Sequence, residues 1–267
     1  MTTTRLSPYL ALIRAPNPGP MTLQGTNTWV LGDPALGPVV VVDPGPPVPT
    51  HVAAIVHACP TGIATVVLTH RHLDHSEGAA ALAARVGCGV RAADPEFRVG
   101  PAGLEDGDRL AVPGGSVAVL ATPGHTSDSR SLLLTGADGV VRLLTGDMVL
   151  GQGTTVITHP DGNLGAYLES VARLQRLVTE RGVAEILPGH GPVVTDPAGW
   201  LAYYQEHRRE RLNQVRAALA DGARTPAEVV ARVYAEVDRR VWPAAEQSVR
   251  AQLAYLEDLG SSGSAHS

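Results

Sequence analysis

The chain has 267 residues, 44% of them hydrophobic and 18% charged, with a formal net charge of −5. That length suits one large domain with a small companion, the charge balance leaves no global basic field to attract nucleic acid, and no apolar run reaches the length of a membrane span. The two cysteines, Cys59 and Cys88, lack any CxxC or ligand spacing and read as buried thiols of a reducing cytoplasm. The N-terminus carries no signal-peptide core, which agrees with that compartment.

In chain order, Asn17-Pro18-Gly19-Pro20 is a turn, and 22–32 reads as a polar loop entering a hairpin. The β-branched run 39–42 is a strand that ends at Asp43-Pro44-Gly45. A helix is expected over 48–59, a strand over 64–68, and a second helix over 76–85 with Ser76 as its cap. From residue 91 the pattern turns strand-rich, with strands over 110–120, 131–134 and 140–144 separated by Gly and Pro turns. An amphipathic helix over 164–180 and a last strand over 184–187 follow. Strands in the middle and helices outside imply two stacked sheets covered by helices.

Beyond residue 192 the composition changes to Arg- and Glu-rich helices over 200–220, from 225 onward with a capping box, and over 243–259. Residues 201–260 hold nine Arg and nine acidic residues, a neutral balance that speaks for a packing or lid role and against a nucleic-acid reader. The expected division is therefore a catalytic domain over 1–195, a helical domain over 196–260 and a polar, disordered tail over 261–267.

The chemistry concentrates in Thr69-His70-Arg71-His72-Leu73-Asp74-His75, four potential metal ligands within six positions at the end of a strand. His70 and His72 are two apart and face one way in extended chain, while Asp74 and His75 follow the turn and face a second point. That arrangement suits two metal ions side by side, with zinc first and manganese or iron as alternatives. His125, Asp147 and His190 each sit just past an apolar run, beside a glycine that permits close approach. Asp43, at its own strand end, is suited to hold a ligand imidazole by its outer N–H. The other histidines have no ligand partner at motif spacing, and Gly151-Gln152-Gly153-Thr154-Thr155 reads as a turn that can line the site.

This pattern, HxHxDH followed by a lone His, an Asp and a His, resembles the metallo-β-lactamase superfamily over nearly the whole chain. The resemblance implies an α/β fold, the αβ/βα four-layer sandwich, with His70, His72 and His125 on a first metal, Asp74, His75 and His190 on a second, and Asp147 bridging. Within the superfamily, 17–28, 150–155 and the helical end resemble the lactamase-β-2 type, which includes an endoribonuclease and carries a C-terminal winged helix. The chain departs from that type where a β-hairpin wing belongs, because residue 260 runs straight into a Ser-rich segment. The reaction implied is hydrolysis by a hydroxide between two metals, with Asp74 orienting it and accepting its proton. The leading substrate expectation is single-stranded RNA; the alternative is a small thioester, lactone or β-lactam, and a bridging carboxylate at Asp147 suits phosphodiesters and thioesters.

Overall fold

A computed structural model describes residues 3–264. The first sheet holds β1 (Thr3–Ser7), β2 (Leu10–Arg14), β3 (Asn27–Leu31), β4 (Val39–Val42), β5 (Ile63–Val67) and β6 (Gly89–Arg91) in that spatial order. Its first four strands pair antiparallel and its last three parallel. Helices α1 (Pro49–Ala58), α2 (Leu73–Ser76) and α3 (Ala79–Val86) make its crossovers. The second sheet holds β7 (Arg109–Val112), β8 (Gly115–Ala121), β9 (Arg130–Gly136), β10 (Val141–Gly146) and β11 (Val183–Pro188), with β11 parallel to β10 at one edge. Helix α4 (Leu164–Arg181) connects β10 to β11, and α5 (Pro197–Ala220), α6 (Pro226–Val233) and α7 (Trp242–Ser264) end the chain.

The period of two along each strand assigns the layers. In β4, Val40 and Val42 face Val119, Leu132 and Leu144 of the second sheet. Val39 and Val41 face the other way, onto Ile55 of α1 and Leu82 of α3. In the second sheet Leu133 and Leu143 turn outward onto Leu174 of α4 and Leu201 of α5. The result is the expected four-layer αβ/βα sandwich. A separate small core of Val215, Val229, Val230 and Val249 joins α5, α6 and α7. Among the described residues no strand follows β11, and no helix is long and apolar enough to cross a membrane.

Several local expectations are corrected. The hairpin expected within 22–32 is not local: β3 pairs with β2 and β4, and residues 22–25 close a tight turn through Gly25 N–H to the Thr22 carbonyl. Ser76 does not cap a helix; its hydroxyl donates to the Arg71 carbonyl, and the chain breaks before α3. The break has a steric cause. Gly78 donates to the Gly45 carbonyl at 2.9 Å, an approach that a Cβ, 2.7 Å from that oxygen, would obstruct. Cys59 is buried as expected, but Cys88 is half-exposed. The polar tail expected from 261 starts as the end of α7, which runs to Ser264, and its last three residues lie outside the described residues.

The two sheets are tied together beside the site by β3. The Asn27 amide donates to the Pro188 and Gly191 carbonyls, and the Trp29 indole donates to Pro188 as well. These bonds fix the loop that follows β11. Asn27→Ala leaves the Gly191 carbonyl without its donor and the Pro188 carbonyl with the Trp29 indole alone, and we expect it to destabilise the protein by about 1–2 kcal/mol. Urea unfolding of the chelator-treated proteins checks this; a loss below about 0.5 kcal/mol, the size of an ordinary surface change, would refute it.

Candidate metal centre

The loops at one edge of the sandwich bring the seven motif residues together. His70, His72, Asp74 and His75 come from the loop and short helix after β5, His125 from the loop after β8, Asp147 from the end of β10 and His190 from the loop after β11. They form overlapping groups, His70–His72–His125, Asp74–His75–His190 and His70–His75–Asp147, with ligand atoms within 4.8 Å of one another. The first two match the two sides anticipated from the sequence. Asp147 stands between them, with Oδ1 3.4 Å from His75 Nε2 and Oδ2 3.4 Å from His190 and 3.9 Å from His125.

Proton accounting shows what the arrangement demands. Asp43 Oδ1 accepts from the Thr69 backbone, and its Oδ2 accepts from the Thr69 hydroxyl at 2.6 Å and from His75 Nδ1–H at 2.9 Å. Since that hydroxyl proton is committed, Thr69 Oγ1 is the acceptor for His70 Nδ1–H at 3.1 Å. His125 Nδ1–H donates to the Val156 carbonyl at 2.6 Å, and His190 Nδ1 faces the Gly25 carbonyl at 3.4 Å. Four rings thus turn their N–H outward and their Nε2 lone pairs inward. His72 instead presents Nδ1, 3.1 Å from His70 Nε2 and 3.0 Å from His125 Nε2. His75 and His190 meet Nε2 to Nε2 at 3.2 Å. Asp147 Oδ1 is buried with no hydrogen-bond donor. Inward lone pairs and an orphaned carboxylate oxygen fit divalent cations of the borderline type.

Burial and charge oppose one another across the cluster. Burial opposes charge on His190, but the Asp147 charge and its bonds to Asp147 and Asp74 outweigh it and carry the ring up to about 9. Burial, opposed by Asp147, holds His125 down at about 4. Burial alone would raise Asp147, yet the charges of His190 and His75 drive it well below the usual carboxylate range. The donor set therefore matches a cation in charge as well as in geometry, and filling it expels protons. Tight packing adds a shape limit: a Cβ on Gly189 would lie 2.4 Å from Asp147 Oδ1.

A cavity of about 320 Å³ opens onto this cluster at His125 and Asp147. One wall is residues 152–156, whose turn reading was right in form; Thr155 Oγ1 also sits 3.2 Å from His125 Nδ1. The C-terminal region adds Tyr234, Val237, Val241 and Ala245, from the segment after α6 and from α7. Pro20, Met21 and Leu23 contribute from the loop before β3, and Gln24 reaches Gln152 across the entrance at 3.3 Å. The sequence pattern did not single out His207, Arg208 or Arg211 of α5, which also line the cavity. They looked like the solvated face of a charged helix, and only their i, i+1, i+4 spacing hinted at one shared side. His159 belongs to none of the metal-binding groups.

With this geometry in hand, the comparisons with known proteins are decisive. The metallo-beta-lactamase superfamily pattern matches residues 21–190. The chain belongs to this superfamily. Its members are generally hydrolases. A beta-lactamase associated winged helix domain matches residues 225–261, so the helical end is of that type although no wing strand is present among the described residues. The chain is 31% identical to a beta-lactamase-like protein 2 homolog of Drosophila melanogaster over 96% of its own length and 90% of that protein. It is also 31% identical to an atrochrysone carboxyl ACP thioesterase of Aspergillus chevalieri, over 89% of this chain and 77% of the relative. Among solved structures, a metallo-beta-lactamase family protein of Thermus thermophilus superposes with a TM-score of 0.79 at 24% identity, covering 96% of this chain and 95% of its own. A beta-lactamase domain protein of Burkholderia ambifaria gives 0.80 at 22%, covering 97% and 88%. These structural likenesses bear out the fold.

Because Asp43 holds His75 directly and His70 through Thr69, its loss frees two ligand rings at once. Asp43→Ala is expected to weaken divalent-metal uptake about 10- to 100-fold. Competition against a chromophoric chelator measures this, with circular dichroism to confirm the fold; unchanged affinity in a folded variant would show that Asp43 does not position the ligands.

Proposed function

We propose that the protein is a metal-dependent hydrolase of small acyl esters or thioesters. The observation that carries this reading is the cavity of about 320 Å³, lined by apolar and polar side chains together, that opens onto the His/Asp cluster. A pocket of that size fits a small molecule rather than a polymer chain. The 31% identity to a carboxyl ACP thioesterase supports the same reaction class.

His70, His72 and His125 would hold one divalent ion and Asp74, His75 and His190 a second, with Asp147 between them and zinc the first choice, manganese or iron the alternatives. When bound, such ions supply Lewis acidity that makes a water nucleophilic near neutral pH and draws charge from the scissile carbonyl. The chain's own residues do the rest. Asp74 is the most exposed carboxylate of the cluster, its side chain 29% accessible, so it can orient the attacking water and accept its proton. Asp43 and Thr69 keep the His75 and His70 rings in one tautomer and one orientation. The loop over 150–156 and α7 screen the reacting carbonyl from bulk water. Cys59 and Cys88, both free thiols, support a reducing compartment such as the cytoplasm.

Cleavage of single-stranded RNA is the second reading. Its support is likeness to the lactamase-β-2 type along almost the whole chain, including the winged-helix segment. One preparation separates the two. Chelator-stripped protein should be inactive, and two equivalents of zinc should restore hydrolysis of a pentanoyl thioester. Asp147→Ala should lower that activity at least about 10²- to 10³-fold, the usual loss of one transition-state contact. Wild-type cleavage of a labelled RNA, lost in Asp147→Ala and unaccompanied by thioester turnover, would replace the acyl reading. Retention of a single iron with little zinc would remove both.

A further inference from the structure

Among the described residues that line the cavity, Asp147 is the one acidic side chain, and it belongs to the metal cluster. His207, Arg208 and Arg211 line the same cavity, and Arg208 reaches the cluster's neighbourhood through Thr155, whose hydroxyl is 3.2 Å from His125 Nδ1. Arg208 is only 4% exposed. Its guanidinium stacks 4.8 Å over the Tyr167 ring and one nitrogen donates to the Thr155 carbonyl, yet Nε is buried without an acceptor. Arg211, which is only half-buried, stacks 4.7 Å over Tyr234 and donates to the Val233 carbonyl and to Gln214 Oε1. Neither has a carboxylate within ion-pair distance among the described residues; of the α5 arginines, only Arg209 is so paired, with Glu206 on the solvent side.

Neutral oxygens and aromatic faces orient these two guanidiniums but do not neutralise them. For Arg208, a buried charge without a counter-charge is costly, and a well-packed chain ordinarily pairs it. Rings and carbonyls that hold each planar group in one pose leave its remaining N–H donors fixed in direction, the preorganised fork that suits a carboxylate or phosphate. The neighbouring imidazole of His207, pushed down to about 4 by burial and by the charges of Arg208 and Arg211, contributes a neutral hydrogen-bonding group beside them. Val156, Val237 and Val241 add apolar surface to the same wall.

We propose that Arg208 and Arg211 bind an anionic group of the substrate, so that the cavity takes a short acyl ester or thioester whose carbonyl meets the His/Asp cluster and whose carboxylate or phosphate meets α5. The reacting bond rests on the hydrolase reading above; the anion site does not. The apolar lining residues, such as Val237 and Val241, accommodate the aliphatic segment that joins the two ends of such a molecule.

The test uses pairs matched in chain length: the glutaryl and pentanoyl thioesters of N-acetylcysteamine, which differ only by a terminal carboxylate, and pentanoyl-coenzyme A, which places phosphate on the thiol half. Ketone analogues with CH₂ in place of sulfur report binding to the zinc-loaded protein by calorimetry without turnover. One anionic analogue should bind at least about tenfold tighter than the neutral one, the size of a charge-assisted hydrogen bond. The glutaryl compound excelling places the anion on the acyl half, and the coenzyme A compound excelling places it on the thiol half. Arg211→Gln should bring the ratio toward one. Arg208→Lys, which keeps the charge but loses the planar fork, should also reduce it; circular dichroism and zinc content show whether each variant has folded. Equal affinities in the wild type, or a ratio unchanged in both folded variants, overturn the proposal, as does arginine-dependent binding of single-stranded RNA with no discrimination among the acyl analogues. Discrimination by a protein that hydrolyses none of the thioesters would refute the hydrolase reading and uphold the anion site, whereas hydrolysis without discrimination would do the reverse.

Discussion

The site depends on one carboxylate. Asp43 ends β4 in a left-handed conformation, φ 50°, which Asp tolerates better than most residues. That turn aims both oxygens back toward the end of β5, where they accept from the Thr69 backbone, the Thr69 hydroxyl and His75. Its own carbonyl accepts from Thr28 of β3. Three strand ends and the short helix α2 therefore share one anchor. A hydrogen bond to an ionised group is among the stronger ones a protein makes, and here it is buried, with Asp43 only 1% exposed. The tautomers of His75 and His70 follow from it, and with them the direction in which their lone pairs point.

The second requirement is that distant segments stay in register at the sandwich edge. Strands β10 and β11 run parallel and end together, which sets Asp147 and His190 side by side. The Asn27 amide and Trp29 indole of the first sheet reach across to the β11 loop, so the two halves of the cluster cannot drift apart. The C-terminal helices are equally bound to this frame. Helix α5 packs Leu201 and Tyr204 into the outer core of the second sheet. The Tyr204 hydroxyl accepts from the Leu150 backbone, and Ser248 of α7 accepts from the Ile157 N–H. The wall of the cavity is thus held by the same hydrogen bonds that hold the loop behind Asp147.

Much of this was legible in the residues. The alternating apolar runs gave β4, β5, β9, β10 and β11, and the His/Asp/Gly clusters past their ends marked the site, because a ligand set needs donors where backbone can approach closely. What escaped were contacts that only the tertiary fold creates. The strands β1 and β2 carry no Gly or Asn turn of the usual hairpin kind at Ser7–Leu10, and β6 is three residues long. Ser76 looked like a cap because Ser preceding an alanine-rich run usually is one, and the override came from Gly45, a residue far back in the chain. Asn27 read as a turn residue, yet it is buried and binds carbonyls across the other sheet.

Charge shows most plainly why pattern alone stops short of substrate. Nine arginines against nine acids over 201–260 give a neutral sum, and a neutral sum argues against a polymer-binding stripe. It says nothing about which charges are paired. Pairs such as Arg240 with Asp238 and Arg250 with Glu246 cancel on the surface, where they contribute little. Arg208 and Arg211 have no carboxylate within ion-pair distance among the described residues, and both line the cavity. A few unpaired charges in a low-dielectric cavity exert a stronger, more local field than many on the surface. The helical end, neutral on average, is therefore locally cationic where Arg208 and Arg211 line the cavity, a feature that net charge does not record.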